Sequence, residues 1–289
     1  MRSCKSLLLI PVFVLTFLLA ATAANAPTLK FKFSTIKVPG SLTTSAGGVN
    51  NSGVIVGWYQ IQPATPRGFM LDGDTWTRID YPKAAQTICQ HINSAGVIAG
   101  NYTNAKGITR GFLYHNGKFT EVHGPAGSKS SAANGINDNG VVVGSYADSS
   151  FKVHGFVLRG NKYKTLDVPN SLATIATGIN NKGVIVLFWG DKMGATESSL
   201  YNGKTYKTIN VPGAIYSYAQ DINNEGDIAY YWFQDDFHEF AALRHGGKYY
   251  PFFHAKSMLT GGVGINDQGV VVGFYQPDNN TERGFKATY

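Results

Sequence analysis

Gly135-Ile136-Asn137-Asp138-Asn139-Gly140-Val141-Val142-Val143-Gly144-Ser145-Tyr146 decides the fold, because this stretch returns, with variations, six times. Its first Asn falls at Asn50, Asn93, Asn137, Asn180, Asn223 and Asn266, at spacings of 43, 44, 43, 43 and 43 residues. A period in this range belongs to repeat architectures, in which one supersecondary unit cannot bury its faces alone and stacks on its neighbours.

Each copy reads as four strands. The first is short and small-residued, as in Ala132-Ala133-Asn134-Gly135-Ile136, and ends in the tetrad Asn-x-x-Gly. That tetrad predicts a tight turn, since Asn bonds backbone amides two residues on and Gly accepts positive φ. The second strand is a β-branched run such as Val141-Val142-Val143, closed nine residues after the Asn by Tyr59, Tyr102, Tyr146, Trp189, Trp232 or Tyr275. The third opens at Arg67-Gly68-Phe69, Arg110-Gly111-Phe112, His154-Gly155-Phe156 and Arg283-Gly284-Phe285, with His238-Glu239-Phe240 and Ser198-Ser199-Leu200 taken as the counterparts in copies five and four. Hairpin dipeptides such as Asp72-Gly73 and Asn116-Gly117 lead into a fourth strand that stops at a Pro.

The segment Phe31 to Pro39 is a fourth strand with no first three before it, and copy six lacks its fourth. Joining the two removes the exposed edges of an open stack. The expectation is therefore an all-β chain, one six-bladed β-propeller of four-stranded blades over residues 27–289, with the N-terminal strand completing the last blade.

Residues 1–26 read as a secretory signal peptide: Arg2 and Lys5, an apolar run from Leu7 to Leu19, then Ala24-Asn25-Ala26. The run is short for a membrane span, so no stable span is expected after cleavage. Without Arg2 and Lys5 the chain carries 23 basic and 18 acidic residues, a net +5 against +7 for the whole sequence. No Lys/Arg run accompanies that mild excess, which argues against a nucleic-acid partner. Cys4 leaves with the leader and Cys89 stays alone, so no intrachain disulfide is expected and Cys89 reads as a packed small residue. A secreted, extracellular or periplasmic monomer follows.

The repeat resembles the bacterial extracellular HAF-repeat family, named for a His-Ala-Phe motif. His154-Gly155-Phe156 and His238-Glu239-Phe240 approximate the tripeptide. Leu166-Asp167, and the run from Ala133 to Gly144, match the rest. The likeness covers Phe31 to Tyr289, with Arg in place of His at Arg67, Arg110 and Arg283. It implies secretion and a propeller-like repeat, and carries no established reaction.

Function is sought where copies break the pattern. On the face of the longer loops, copies four and five replace the Gly after the second strand by Leu187 and Tyr230, and the aromatic by Trp189 and Trp232. Copy five continues through Asp235, Asp236, His238 and Glu239, with Tyr216 and Tyr218 on the connection entering it. Flat rings beside carboxylates suit a sugar, whose apolar face stacks while its hydroxyls donate. Paired acids also suit glycosidic chemistry. Two residues before the Asn, Gly is the rule and His91 and Asp221 are the exceptions, which makes these two polar groups near the axis further candidates.

Hydroxyls six residues before each Asn (Thr44, Thr87, Ser131, Thr174, Ser217, Thr260) are read as bonds between neighbouring blades. No nucleophile elbow, zinc helix motif, calcium loop or phosphate loop is present, so no metal site and no cofactor are expected. The leading expectation is a non-catalytic propeller that binds a carbohydrate or protein partner through its long-loop face. The alternatives are an extracellular polysaccharide hydrolase or lyase, and a structural cell-surface repeat.

Overall fold

A computed structural model describes residues 29–61, 65–235, 238–255 and 257–289. The expected leader, residues 1–26, lies outside them. The described residues form an all-β structure of 24 strands. Strand β1 (Lys32–Ile36) comes first, followed by sheet I: β2 (Thr43–Val49), β3 (Ile55–Gln60), β4 (Arg67–Asp72) and β5 (Thr75–Ile79). Sheet II is β6 (Gln86–Ile92), β7 (Ile98–Thr103), β8 (Thr109–His115) and β9 (Lys118–Val122). Sheet III is β10 (Ser130–Ile136), β11 (Val142–Ala147), β12 (Val153–Arg159) and β13 (Lys162–Leu166). Sheet IV is β14 (Ala173–Ile179), β15 (Ile185–Gly190), β16 (Thr196–Tyr201) and β17 (Tyr206–Thr208). Sheet V is β18 (Tyr216–Ile222), β19 (Ile228–Phe233), β20 (Glu239–His245) and β21 (Lys248–Phe252). Sheet VI is β22 (Leu259–Ile265), β23 (Val271–Asp278) and β24 (Thr281–Thr288), and β1 is its fourth strand, antiparallel to β24 from Lys32↔Thr288 to Ile36↔Gly284.

Core packing repeats with the sequence. In sheets I, II, III and VI, a glycine of the second strand faces a phenylalanine of the third: Gly57↔Phe69, Gly100↔Phe112, Gly144↔Phe156 and Gly273↔Phe285. The ring needs the space, since a Cβ on Gly57 would lie 2.9 Å from the Phe69 ring. Sheets IV and V exchange the sizes across the same pair, with Leu187 opposite Ser199 and Tyr230 opposite Ala242. Tyr230 is fully buried and its hydroxyl donates to the Ile209 carbonyl at 2.9 Å. The departures at Leu187 and Tyr230, expected to mark a site, are volume-conserving core exchanges.

The same register corrects two sequence alignments. Phe240, not His238, occupies the place of Arg67, because Trp232 pairs with Phe240 as Tyr59 pairs with Arg67. In sheet IV the counterpart is Glu197, opposite Trp189.

Neighbouring sheets are tied by the hydroxyl column. Thr87 accepts the Tyr81 amide, Thr174 that of Val168, Ser217 that of Val211 and Thr260 that of His254. Each bond joins the end of one sheet's last strand to the first strand of the next. All six hydroxyl residues are buried, so they hold sheets together and face no solvent-filled channel. Cys89 is likewise enclosed, with its sulfur against Gly68 of the preceding sheet, and burial raises its thiol pKa.

Candidate functional site

The six first strands meet around an axis, and that axis has two unlike ends. At one end the Asn-x-x-Gly turns form a hydrogen-bonded hoop. Each Asn side-chain amide donates to the next Asn carbonyl: Asn50 to Asn93, then Asn137, Asn180, Asn223, Asn266, and back to Asn50, at 3.0–3.2 Å. Each side-chain oxygen accepts from its own turn, as Asn137 does from the amides of Asn139 and Val141. All six are buried with their bonds satisfied. The cavity left there is about 50 Å³, room for a water or two.

At the other end the axis widens, and a register irregularity creates it. Every first strand carries a β-bulge three residues before its Asn, between Ala46 and Gly48, Cys89 and His91, Ala133 and Gly135, Ala176 and Gly178, Ala219 and Asp221, and Gly262 and Gly264. A bulge turns one side chain out of the alternation. Here the bulged residues Gly47, Gln90, Asn134, Thr177, Gln220 and Val263 line an axial cavity of about 190 Å³, with Ile175, Phe188 and Tyr231. The Asn134 amide donates to the Ala176 carbonyl at 2.9 Å. The buried Nε2 of Gln220 has no hydrogen-bond partner among the described residues.

Between the two ends lie His91 and Asp221. They come from sheets II and V, opposite one another on the circle, and His91 Nε2 reaches both Asp221 carboxylate oxygens at 3.2 Å. The sequence flagged both residues; their mutual contact across the axis is the structure's contribution. Asp221 is 1% exposed and also accepts the Ile222 and Ile265 amides. Burial pushes the His91 pKa down, but the facing Asp221 carboxylate outweighs it, and the net shift is upward.

Around the wide mouth runs a chain of aromatic contacts. Phe188 meets Tyr218 edge-on at 5.1 Å, Tyr218 stacks on Tyr231 at 4.6 Å, and Tyr231 meets Phe274 at 6.4 Å. Glu239 borders this wall, its Oε1 close to Gly261. Burial lifts its pKa to about 7. Glu282, at the equivalent place in sheet VI, is raised by burial to about 7 as well, with Glu239 adding to the shift and the Ser45 hydroxyl opposing it. Oε1 of each is buried without a hydrogen-bond partner.

The remaining sequence candidates do not converge. Trp189 packs among Tyr201, Leu187 and Tyr206 and donates to Ser199 Oγ at 3.1 Å. Trp232 is 8% exposed in a separate cluster, tilted against Phe240. Asp235 and His238 pair locally on an exposed loop, where the carboxylate accepts the His238 amide and reaches its Nδ1 at 2.8 Å. Carboxylates or amides such as Asn104, Asp148, Asp191 and Asp278 close the corresponding loops in the same manner, so Asp235 is a turn former. Asp236 lies outside the described residues. Tyr216 is half-buried beside Phe233. Of the expected loop cluster, Tyr218 touches the cavity wall through Tyr231, and Glu239 lies beside Gly261.

Sequence reading passed over the bulge column and the column eight residues after each Asn: Trp58, Asn101, Ser145, Phe188, Tyr231 and Phe274. Both carried a signal, namely variability beside positions that hardly vary. Among the described residues no group of three or more His, Cys, Asp or Glu side chains is placed to hold a metal ion, and no helix is long and apolar enough to cross a membrane.

No family model matches the chain, and no curated protein does. Solved structures do. A fungal lectin from Aleuria aurantia, described as a six-bladed β-propeller with a novel fucose recognition mode, is 14% identical with a TM-score of 0.52, covering 88% of this chain and 93% of its own. AofleA from Arthrobotrys oligospora is 12% identical with a TM-score of 0.57, covering 91% and 88%. The β-propeller domain of the Trilobed protease from Pyrococcus furiosus is 10% identical with a TM-score of 0.51, covering 86% and 94%. At these identities the likeness concerns fold, and a fold shared by lectins and a protease domain does not choose a function. The chain is all-β, with four-stranded sheets arranged as in β-propeller proteins.

Proposed function

We propose that the chain is a six-bladed β-propeller latched by β1 and that it acts as a secreted, non-catalytic carbohydrate-binding protein whose sugar enters the wide end of the axis. The observation that carries this reading is the axial cavity itself. It has an aromatic wall, Phe188 and Tyr231, facing the amides Gln90, Asn134 and Gln220. Such a cavity offers what a pyranose presents, a flat apolar face on one side and hydroxyls that both donate and accept on the other. The structural neighbours support it to the extent that several are fucose-binding lectins. The expected leader and the HAF-like repeat suit an extracellular ligand.

A non-catalytic role fits the site better than hydrolysis. Of the groups expected to do chemistry, Asp235 and His238 close their own exposed loop, Glu239 lies apart from them beside Gly261, and Asp236 lies outside the described residues. Glycan-array screening of the intact protein, followed by calorimetry on Tyr231→Ala, tests the reading. Binding weakened about tenfold in the variant supports it, and an empty array with folded protein overturns it.

A further inference from the structure

On the premise that this axial site binds carbohydrate, we infer that it recognises a single, uncharged, chain-terminal sugar residue. Three observations carry this, and none of them depends on the structural neighbours.

The first is that the cavity is blind. His91 and Asp221 meet across the axis at 3.2 Å beneath it, and the closed Asn hoop lies below them. Asp221 is anchored by two backbone amides from sheets V and VI, so this floor is part of the packing. A saccharide chain can enter and end there, but it cannot pass through.

The second is size. The cavity is about 190 Å³, close to the ~150 Å³ that admits a single six-membered ring such as benzene. One pyranose fills it and a disaccharide does not, so the next residue of a longer chain must sit outside, against Tyr218, Tyr231 and Phe274.

The third is charge. The ionisable side chains lining the cavity are His91 and Asp221, and each is the other's partner at 3.2 Å. The other polar groups are the amides of Gln90, Asn134 and Gln220 and the hydroxyls of Thr177 and Tyr231. A uronate or sulfate would be buried with no free cation to meet it, a cost of several kcal/mol in general.

The test uses the full chain and the sugar that a glycan array selects. Calorimetry then compares four probes: its neutral methyl glycoside, the corresponding methyl uronoside, a linear oligosaccharide and a cyclic oligosaccharide of the same sugar. The neutral glycoside and the linear chain are expected to bind one to one, the uronoside at least about tenfold more weakly, and the cyclic compound, which has no terminal residue, not at all. Val263→Phe, which fills the cavity from sheet VI, should abolish binding while its thermal unfolding stays near wild type. If that variant fails to fold, Gln220→Ala replaces it, with an expected loss of about three- to tenfold.

Cyclic and linear compounds binding alike, the uronoside binding as well as the neutral glycoside, or full affinity retained in folded Val263→Phe or in Gln220→Ala, would overturn the terminal-residue inference and leave the carbohydrate reading standing. No binding to any glycan overturns both.

Discussion

The hoop end of the axis and the cavity end are built from residues only three positions apart in each copy, yet they obey opposite rules. At the hoop, six copies supply the same side chain, and each polar atom has a partner supplied by its own turn or the next. At the cavity, six copies supply Gly47, Gln90, Asn134, Thr177, Gln220 and Val263, and one donor is left over. A group repeated by every copy does scaffold work, because symmetry lets each satisfy its neighbour. A position where the copies disagree is free of that duty and can be shaped to a ligand.

The contrast can be broken most severely at the hoop. Asn137→Ala removes one donor to the Asn180 carbonyl and strips the Asn139 and Val141 amides of their acceptor. The expected loss is about 3 kcal/mol, with sugar affinity unchanged in the folded fraction; urea unfolding read beside calorimetry separates the two. A smaller effect is expected between the ends of the scale, at Glu239 and Glu282. Their folded pKa values are raised to about 7, so the native state binds more protons than the unfolded chain between about pH 4.5 and 7. Stability should therefore fall as pH rises through that window and level off above it. Glu239→Gln with Glu282→Gln should flatten the profile and gain about 2 kcal/mol at pH 8, which denaturation midpoints at pH 5 and pH 8 will show.

At the cavity end, Tyr231→Ala is expected to lower sugar affinity about tenfold, roughly 1.4 kcal/mol, with a lesser effect on unfolding. The smallest change is expected from Asp235→Asn. An amide still caps the loop, and affinity measured by calorimetry should move by less than about twofold. A large effect there would return the site to the loop and away from the axis.

The fold was legible because its determinants are periodic. Asn-x-x-Gly, the β-branched run and the small residue four before each Asn repeat for reasons internal to a sheet, and the solitary strand before copy one found its place beside β24. The axial site was harder to read. Only His91 and Asp221 stood out, since both interrupt a column of glycines whose added Cβ atoms would press into the next sheet, as at Gly135 and Gly178. The bulge residues showed only variability from copy to copy, because a bulge is a property of register between two strands and Gln90 looks like any strand residue in isolation. Leu187 and Tyr230 misled for a related reason: their meaning lies in the partner across the pair, Ser199 and Ala242, which spacing alone does not reveal.

The pairing of β1 with β24 bears on how the molecule reaches its folded state. Five sheets are completed by neighbours along the chain, whereas the sixth joins Lys32 to Thr288. Closing so long a loop is slow relative to local hairpin formation, so it should come last. Until it does, β24 has a bare edge, and Phe31 and Phe33 lack the cover of Phe252 and Phe285. Refolding yield should accordingly fall with protein concentration, since a second chain's first strand can fill the same vacant edge and produce strand-exchanged dimers.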